Sequence, residues 1–88
     1  MARILISGKV QGVFFRYEAS EKAKELGLFG WVRNTKDGSV EALAQGEEKA
    51  LTAFIEWCKK GPNRADVKNV EIEWQTPTDE FRDFSIQN

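Results

Sequence analysis

Between Arg3 and Leu26 the apolar residues change their spacing, from every second position to the period of a helix face, and the change falls across a stretch punctuated by Gly8 and Gly12. Arg3 to Val10 alternates, with Ile4, Ile6 and Val10 on one face and Arg3, Ser7 and Lys9 on the other, which predicts a half-buried strand. From about Phe15, the residues Phe15, Ala19, Ala23 and Leu26 recur at helical spacing, Glu21, Lys22, Lys24 and Glu25 face water, and Gly27 supplies a natural stop. Gly8-Lys9-Val10-Gln11-Gly12-Val13-Phe14-Phe15-Arg16 therefore joins a strand directly to a helix. Such a junction lets successive backbone N–H groups converge beside a positive helix N-terminus.

The rest of the chain repeats the two periods. Leu28 to Asn34 is rich in aromatic and β-branched residues, and after Thr35-Lys36-Asp37-Gly38 the residues Val40, Ala42 and Ala44 alternate with Glu41 and Leu43, so a hairpin closed by Asp-Gly is predicted. Glu47 to Lys60 carries Leu51, Phe54, Ile55 and Cys58 at i, i+3, i+4 and i+7, and Gly61-Pro62 ends this second helix. Val70, Ile72 and Trp74 alternate with Glu71 and Glu73 as a strand with one buried face, Thr76 to Asp79 is a turn, and Phe84 with Ile86 marks a short last strand. The order is β-α-β-β-α-β with a short fifth strand. That order predicts a ferredoxin-like α+β sandwich, a mainly antiparallel sheet with two helices on one face.

A chain of 88 residues suits one domain, here residues 1–88, because it buries only about 60 to 65 per cent of its unfolded surface. Lys and Arg number 13 against 14 Asp and Glu, a net charge of −1, so there is no broad positive field to draw in nucleic acid. The uncharged stretch Ile4 to Gly8 is too short to span a bilayer or serve as a secretory core, which predicts a cytoplasmic protein that does not engage a membrane. The chain has one cysteine and no histidine, hence no internal disulfide, no usual zinc ligand set and no Ser-His or Cys-His nucleophile pair. Neither metal nor cofactor is expected.

Chemistry concentrates in the strand-to-helix loop. Gly12 permits a tight curl and close approach of an oxyanion, and Arg16 in the first helical turn offers a bidentate, charge-assisted fork. Four or five amides and one guanidinium suit a phosphate, although spacing alone equally fits glycines that merely turn the chain beside a solvated Arg16. The stretch lacks the G-x-x-x-x-G-K-[ST] pattern of a nucleotide-binding P-loop, which favours a ligand smaller than a nucleotide. Asn34, at the end of the next strand, has a side-chain amide that both donates and accepts; it suits the orientation of a water and equally suits a hairpin cap.

The loop Gly8-Lys9-Val10-Gln11-Gly12-Val13-Phe14-Phe15-Arg16, with Gly27-Leu28-Phe29-Gly30-Trp31-Val32-Arg33-Asn34-Thr35-Lys36-Asp37-Gly38-Ser39-Val40-Glu41, closely resembles the acylphosphatase family. The resemblance continues through Gly61-Pro62 and Phe84-Ser85-Ile86, essentially the whole chain. It implies hydrolysis of a carboxyl-phosphate anhydride to carboxylate and phosphate, with a small acyl phosphate as the partner molecule; a monomer is expected. Arg16 matches the family's phosphate-binding arginine and Asn34 the asparagine that positions the attacking water. The amides of Gln11, Gly12, Val13, Phe14 and Phe15 match its phosphate cradle, while Lys9 and Tyr17 receive no role.

The residue chemistry is compatible with that expectation. A carboxylate leaving group, whose conjugate acid has a pKa of about 4, needs no general acid. A loose phosphoryl-transfer transition state chiefly requires its oxygens held and its nucleophile in line. The rival reading is a non-catalytic module that senses phosphate or a phosphorylated metabolite. Trp31, Phe54, Trp57 and Trp74 are expected to pack the core rather than stack bases, because the K/R-G-F/Y-G/A-F-V-x-F/Y pattern is missing. Cys58 is expected in the core, Glu71 and Glu73 on a polar strand face, and Glu47 and Glu48 at a helix N-terminus, where carboxylates favour the dipole.

Overall fold

The computed structural model describes residues 1–87, in the order β1 (Ala2–Lys9), α1 (Phe15–Glu25), β2 (Phe29–Asn34), β3 (Val40–Gln45), α2 (Glu48–Lys60), β4 (Asp66–Trp74) and β5 (Phe84–Gln87). The strands form one sheet ordered β4-β1-β3-β2-β5. β1 runs antiparallel to β3 and β4, β2 antiparallel to β3, and β5 parallel to β2. Each helix crosses over one intervening strand, so both return to the same face, and the fold is the ferredoxin-like α+β sandwich.

Alternation decides which side of each strand meets the helices. Ala2, Ile4 and Ile6 of β1, Val32 of β2 and Val40, Ala42 and Ala44 of β3 are fully buried against Phe15, Ala19 and Ala23 of α1 and Leu51, Phe54 and Cys58 of α2. Phe54 stands edge-on to Phe84 of β5, with ring centroids 5.8 Å apart, and lies parallel to Trp57 at 6.4 Å. Trp57 also meets Phe15 edge-on at 5.3 Å. Phe15 is the first residue of α1, and each such buried phenylalanine contributes about 1.5 to 3 kcal/mol. Its anchorage fixes the end of the glycine-punctuated loop against α2. Cys58 is a small buried hydrophobe, and burial pushes its thiol well above its usual range.

Three expectations change, the first being that Trp31, expected in the core, lies on the sheet face away from the helices. β4 begins at Asp66 rather than near Val70, because its polar first half still pairs with β1 after a register shift between Ser7 and Gly8. Ile72 and Trp74 lie on the helix side of the sheet but at the end of an edge strand, beyond the part that packs Val67 and Val70 against the core, so Trp74 is 59% exposed and is not a core residue. The opposite face carries polar packing of its own. Glu41, whose side chain is only 5% exposed, is clamped between Arg3 and Arg33, accepting from Arg33 Nε at 2.7 Å, and Arg33 in turn sits 5.1 Å over the Trp31 ring.

Candidate active site

The loop from Val10 to Arg16 folds as a curl of alternating hand. Gly12 has φ +74° and Phe14 φ +64°, whereas Val13 and Phe15 between and after them keep negative φ. Alternation of this kind turns consecutive N–H groups toward one side of the backbone and makes an anion-binding concavity. The N–H groups of Gly12, Val13, Phe14 and Phe15 donate to no other group among the described residues. The N-cap position of α1 is Phe14, which offers no side-chain cap, so the positive end of the helix opens beside the curl.

Sequence explains why the curl holds its shape. Val13 and Phe15 are buried, which pins every second residue of the loop into the core. A Cβ on Gly61 would approach the Phe15 ring to 2.7 Å, so glycine at 61 is what lets that ring settle on the turn after α2. Phe14 is left 66% exposed in a left-handed conformation that costs about 1 to 2 kcal/mol for a residue with a side chain. Such strain persists only where its surroundings over-determine it. At Gly12 a Cβ would meet nothing within 4 Å, so the requirement there is for positive φ rather than for space.

A cleft of about 290 Å³ opens over the curl, lined by Gly12, Phe15, Arg16, Tyr17, Asn34 and Ile86, with Val10 and Phe14 completing its wall. Arg16 and Asn34, distant in sequence, thus face one volume. Arg16 occupies the second position of α1, and its Nη1 donates to the Gln87 carbonyl at 3.0 Å, steadying the guanidinium against β5. Asn34 is the last residue of β2, paired with Val40. Its side chain makes no hydrogen bond among the described residues, so it does not cap the hairpin.

Thr35, Asp37 and Ser39 hold that hairpin instead. The Thr35 hydroxyl and the Ser39 N–H, the latter at 3.2 Å, both donate to the Asp37 carboxylate, which holds the Asp37 carboxyl below the usual carboxylate range. The turn is longer than a two-residue Asp-Gly closure. Thr35 N–H donates to the Ser39 carbonyl and Gly38 N–H to the Thr35 carbonyl, leaving three residues in the loop with Gly38 at positive φ.

One feature of the site has no signature in sequence spacing. The Gln11 side-chain Nε2 donates to the carbonyl oxygens of both Thr35 and Ser39, at 2.8 Å each. The cradle loop is thereby tied across the mouth of the hairpin that carries Asn34. Gln11 was expected to contribute its backbone amide; its side chain adds this bridge. Tyr17 and Ile86 also line the cleft, and Ile86 arrives through the parallel pairing of β5 with β2, visible only once the sheet is assembled.

Comparison with known proteins agrees with this architecture. The acylphosphatase family model matches residues 2–86. The chain is 46% identical to an acylphosphatase of Pelotomaculum thermopropionicum over 97% of its own length and 92% of that protein's. It is 49% identical to one of a Roseiflexus species over 97% and 91%. The crystal structure of acylphosphatase from Bacillus subtilis superposes with a TM-score of 0.95 at 39% identity, covering 99% of this chain and 97% of that one.

Proposed function

The chain belongs to the acylphosphatase family, and we propose that it hydrolyses acyl phosphates by seating the phosphoryl group in the Gln11–Arg16 curl and aiming a water at phosphorus from Asn34. The observation that carries this reading is the meeting of three elements in one cleft: converging N–H groups at Gly12 to Phe15, the Arg16 guanidinium and the unengaged Asn34 amide. The chemistry follows from what each group is.

Phosphoryl oxygens accept from the curl's N–H groups and from two nitrogens of Arg16, so charge is met by dipoles already in place when the transition state forms. Arg16 exchanges its contact with the Gln87 carbonyl, or extends it, to reach the bound group. Asn34 holds a water through its amide without competing as a base. The water attacks phosphorus in line as the P–O bond to the acyl oxygen breaks; the carboxylate departs as a stable anion, and the proton of the attacking water passes to solvent or to the released phosphate. The expectations of a single 1–88 domain, a monomer and a cytoplasmic setting without nucleic-acid partners remain part of this proposal. Among the described residues no helix is long and apolar enough to cross a membrane.

Turnover of a simple acyl phosphate in the presence of EDTA tests the reading. Arg16→Ala and Asn34→Ala should each lower kcat by at least about a hundredfold, the scale of losing one preorganised group from a charge-stabilising site. Arg16→Lys should fall well short of the parent, because lysine keeps the charge and loses the planar fork. Phosphate binding without hydrolysis by the parent protein would instead fit a sensing module.

A further inference from the structure

A second cleft, of about 460 Å³, opens on the far side of Phe14 and is lined by Val13, Phe14, Glu18, Trp57, Lys60 and Arg64. Phe14 and the curl residues beside it form a shared wall: Phe14 borders both this cleft and the one containing Arg16 and Asn34. Nothing in the handling of a phosphoryl group requires this second volume. It nonetheless begins where the cradle ends.

Three features give the second cleft a chemical character. Phe14 is a large apolar side chain held 66% exposed in the left-handed region, an arrangement unfavourable both in hydration and in backbone energy unless its ring meets something. Trp57, partly buried against Phe15 and Phe54, supplies a second aromatic surface. Lys60 and Arg64 place two cations on the rim, and neither has an ion-pair partner among the described residues, whereas Lys22, Lys24 and Lys59 are bridged to glutamates. Glu18 is the one carboxylate facing them, leaving the lining with a net charge of +1 from two cations and one anion.

We propose that this cleft is the acyl-side subsite, and that it favours acyl phosphates whose acyl group carries an aromatic or extended apolar body and ends in a second anion. The proposal rests on the phosphoryl group occupying the curl. From there the acyl group passes over Phe14, lies between it and Trp57, and presents its distal anion to Lys60 and Arg64. Those side chains are exposed, so their contribution is that of solvated charges, about three- to fivefold in affinity for each contact at low salt. It should fade as ionic strength rises.

The test compares kcat/KM for benzoyl phosphate and 4-carboxybenzoyl phosphate, which share one ring and differ in a distal carboxylate. Comparing the ratio between proteins cancels the difference in leaving group. The expected result is a preference for the carboxylated substrate in the parent protein that falls about tenfold in Lys60→Ala/Arg64→Ala, rises in Glu18→Gln and is lost in high salt, with benzoyl phosphate turnover unchanged by either set of substitutions. An identical substrate ratio in the parent and the double variant, with benzoyl phosphate still hydrolysed, overturns the subsite and leaves the hydrolase reading standing. Failure of the parent to hydrolyse either substrate overturns both.

Discussion

The side-chain amide of Gln11 bridges the hairpin mouth, donating to Thr35 and Ser39 carbonyls at 2.8 Å each, and thereby ties the loop that forms the cradle to the strand that ends in Asn34. The two halves of the site lie on separate elements with no covalent neighbour in common, so their relative placement depends on contacts of this kind. Both carbonyls have a second donor, Gly38 N–H for Thr35 and Thr35 N–H for Ser39. Removing the Gln11 amide therefore orphans neither acceptor.

Gln11→Leu should for that reason keep the fold, at a stability cost of about 1 kcal/mol, while loosening the registry between cradle and Asn34. A fall in kcat of about ten- to a hundredfold is expected, with the inhibition constant for inorganic phosphate changed much less, since misplacement by even 1 Å is costly to reaction but not to ion capture. Steady-state kinetics with phosphate as inhibitor measures both. Equal losses in kcat and phosphate affinity would mean that the side chain shapes the cradle itself.

On the opposite face, Arg3 and Arg33 share the buried Glu41 carboxylate. Either arginine alone still compensates the charge. Arg3→Ala and Arg33→Ala should each cost about 1 kcal/mol, but the double variant should cost about 3 to 5 kcal/mol because it leaves a buried carboxylate without a counter-ion. Urea unfolding of the four proteins measures the coupling; additive losses would contradict the shared clamp.

The hairpin carries a pH dependence of predictable sign. The Thr35 hydroxyl, foremost, and the Ser39 N–H stabilise the ionised Asp37, lowering its folded pKa below the ordinary value of 3.8. A depressed carboxyl stabilises the folded state above the unfolded pKa and loses that contribution as pH falls through the folded one. Asp37→Asn should therefore have a lower Tm than the parent at neutral pH, with the gap closing once the medium is more acidic than the normal carboxylate range. A constant gap across that range would exclude the hydrogen-bonded carboxylate as its source.

Local patterns made most of this fold legible. The alternation in β1, the Phe15, Ala19 and Ala23 stripe and the Leu51, Phe54, Ile55 and Cys58 stripe each reflect a face buried along its whole length, so one-dimensional periodicity carried the information. Trp74 and Ile72 show where it runs out, since alternation marks a side of the sheet but not how far along an edge strand the core extends. The polar start of β4 is paired through its backbone, which leaves no apolar signal. Within the site, Gly12 and Arg16 were legible because strand, loop and helix are contiguous. The Gln11 bridge, the Ile86 wall and the second cleft were not, being made by residues far apart in the chain.

An amide-resolved NMR titration with inorganic phosphate, on the parent and on Asn34→Ala, most directly tests the division of labour between cradle and asparagine. The expected outcome is that the largest shifts fall on Gly12, Val13, Phe14 and Phe15, with the same Kd in both proteins although the variant no longer turns over acyl phosphate. Shifts centred elsewhere, or a Kd that rises steeply when Asn34 is removed, would contradict an anion held by the curl and Arg16 with Asn34 serving the water.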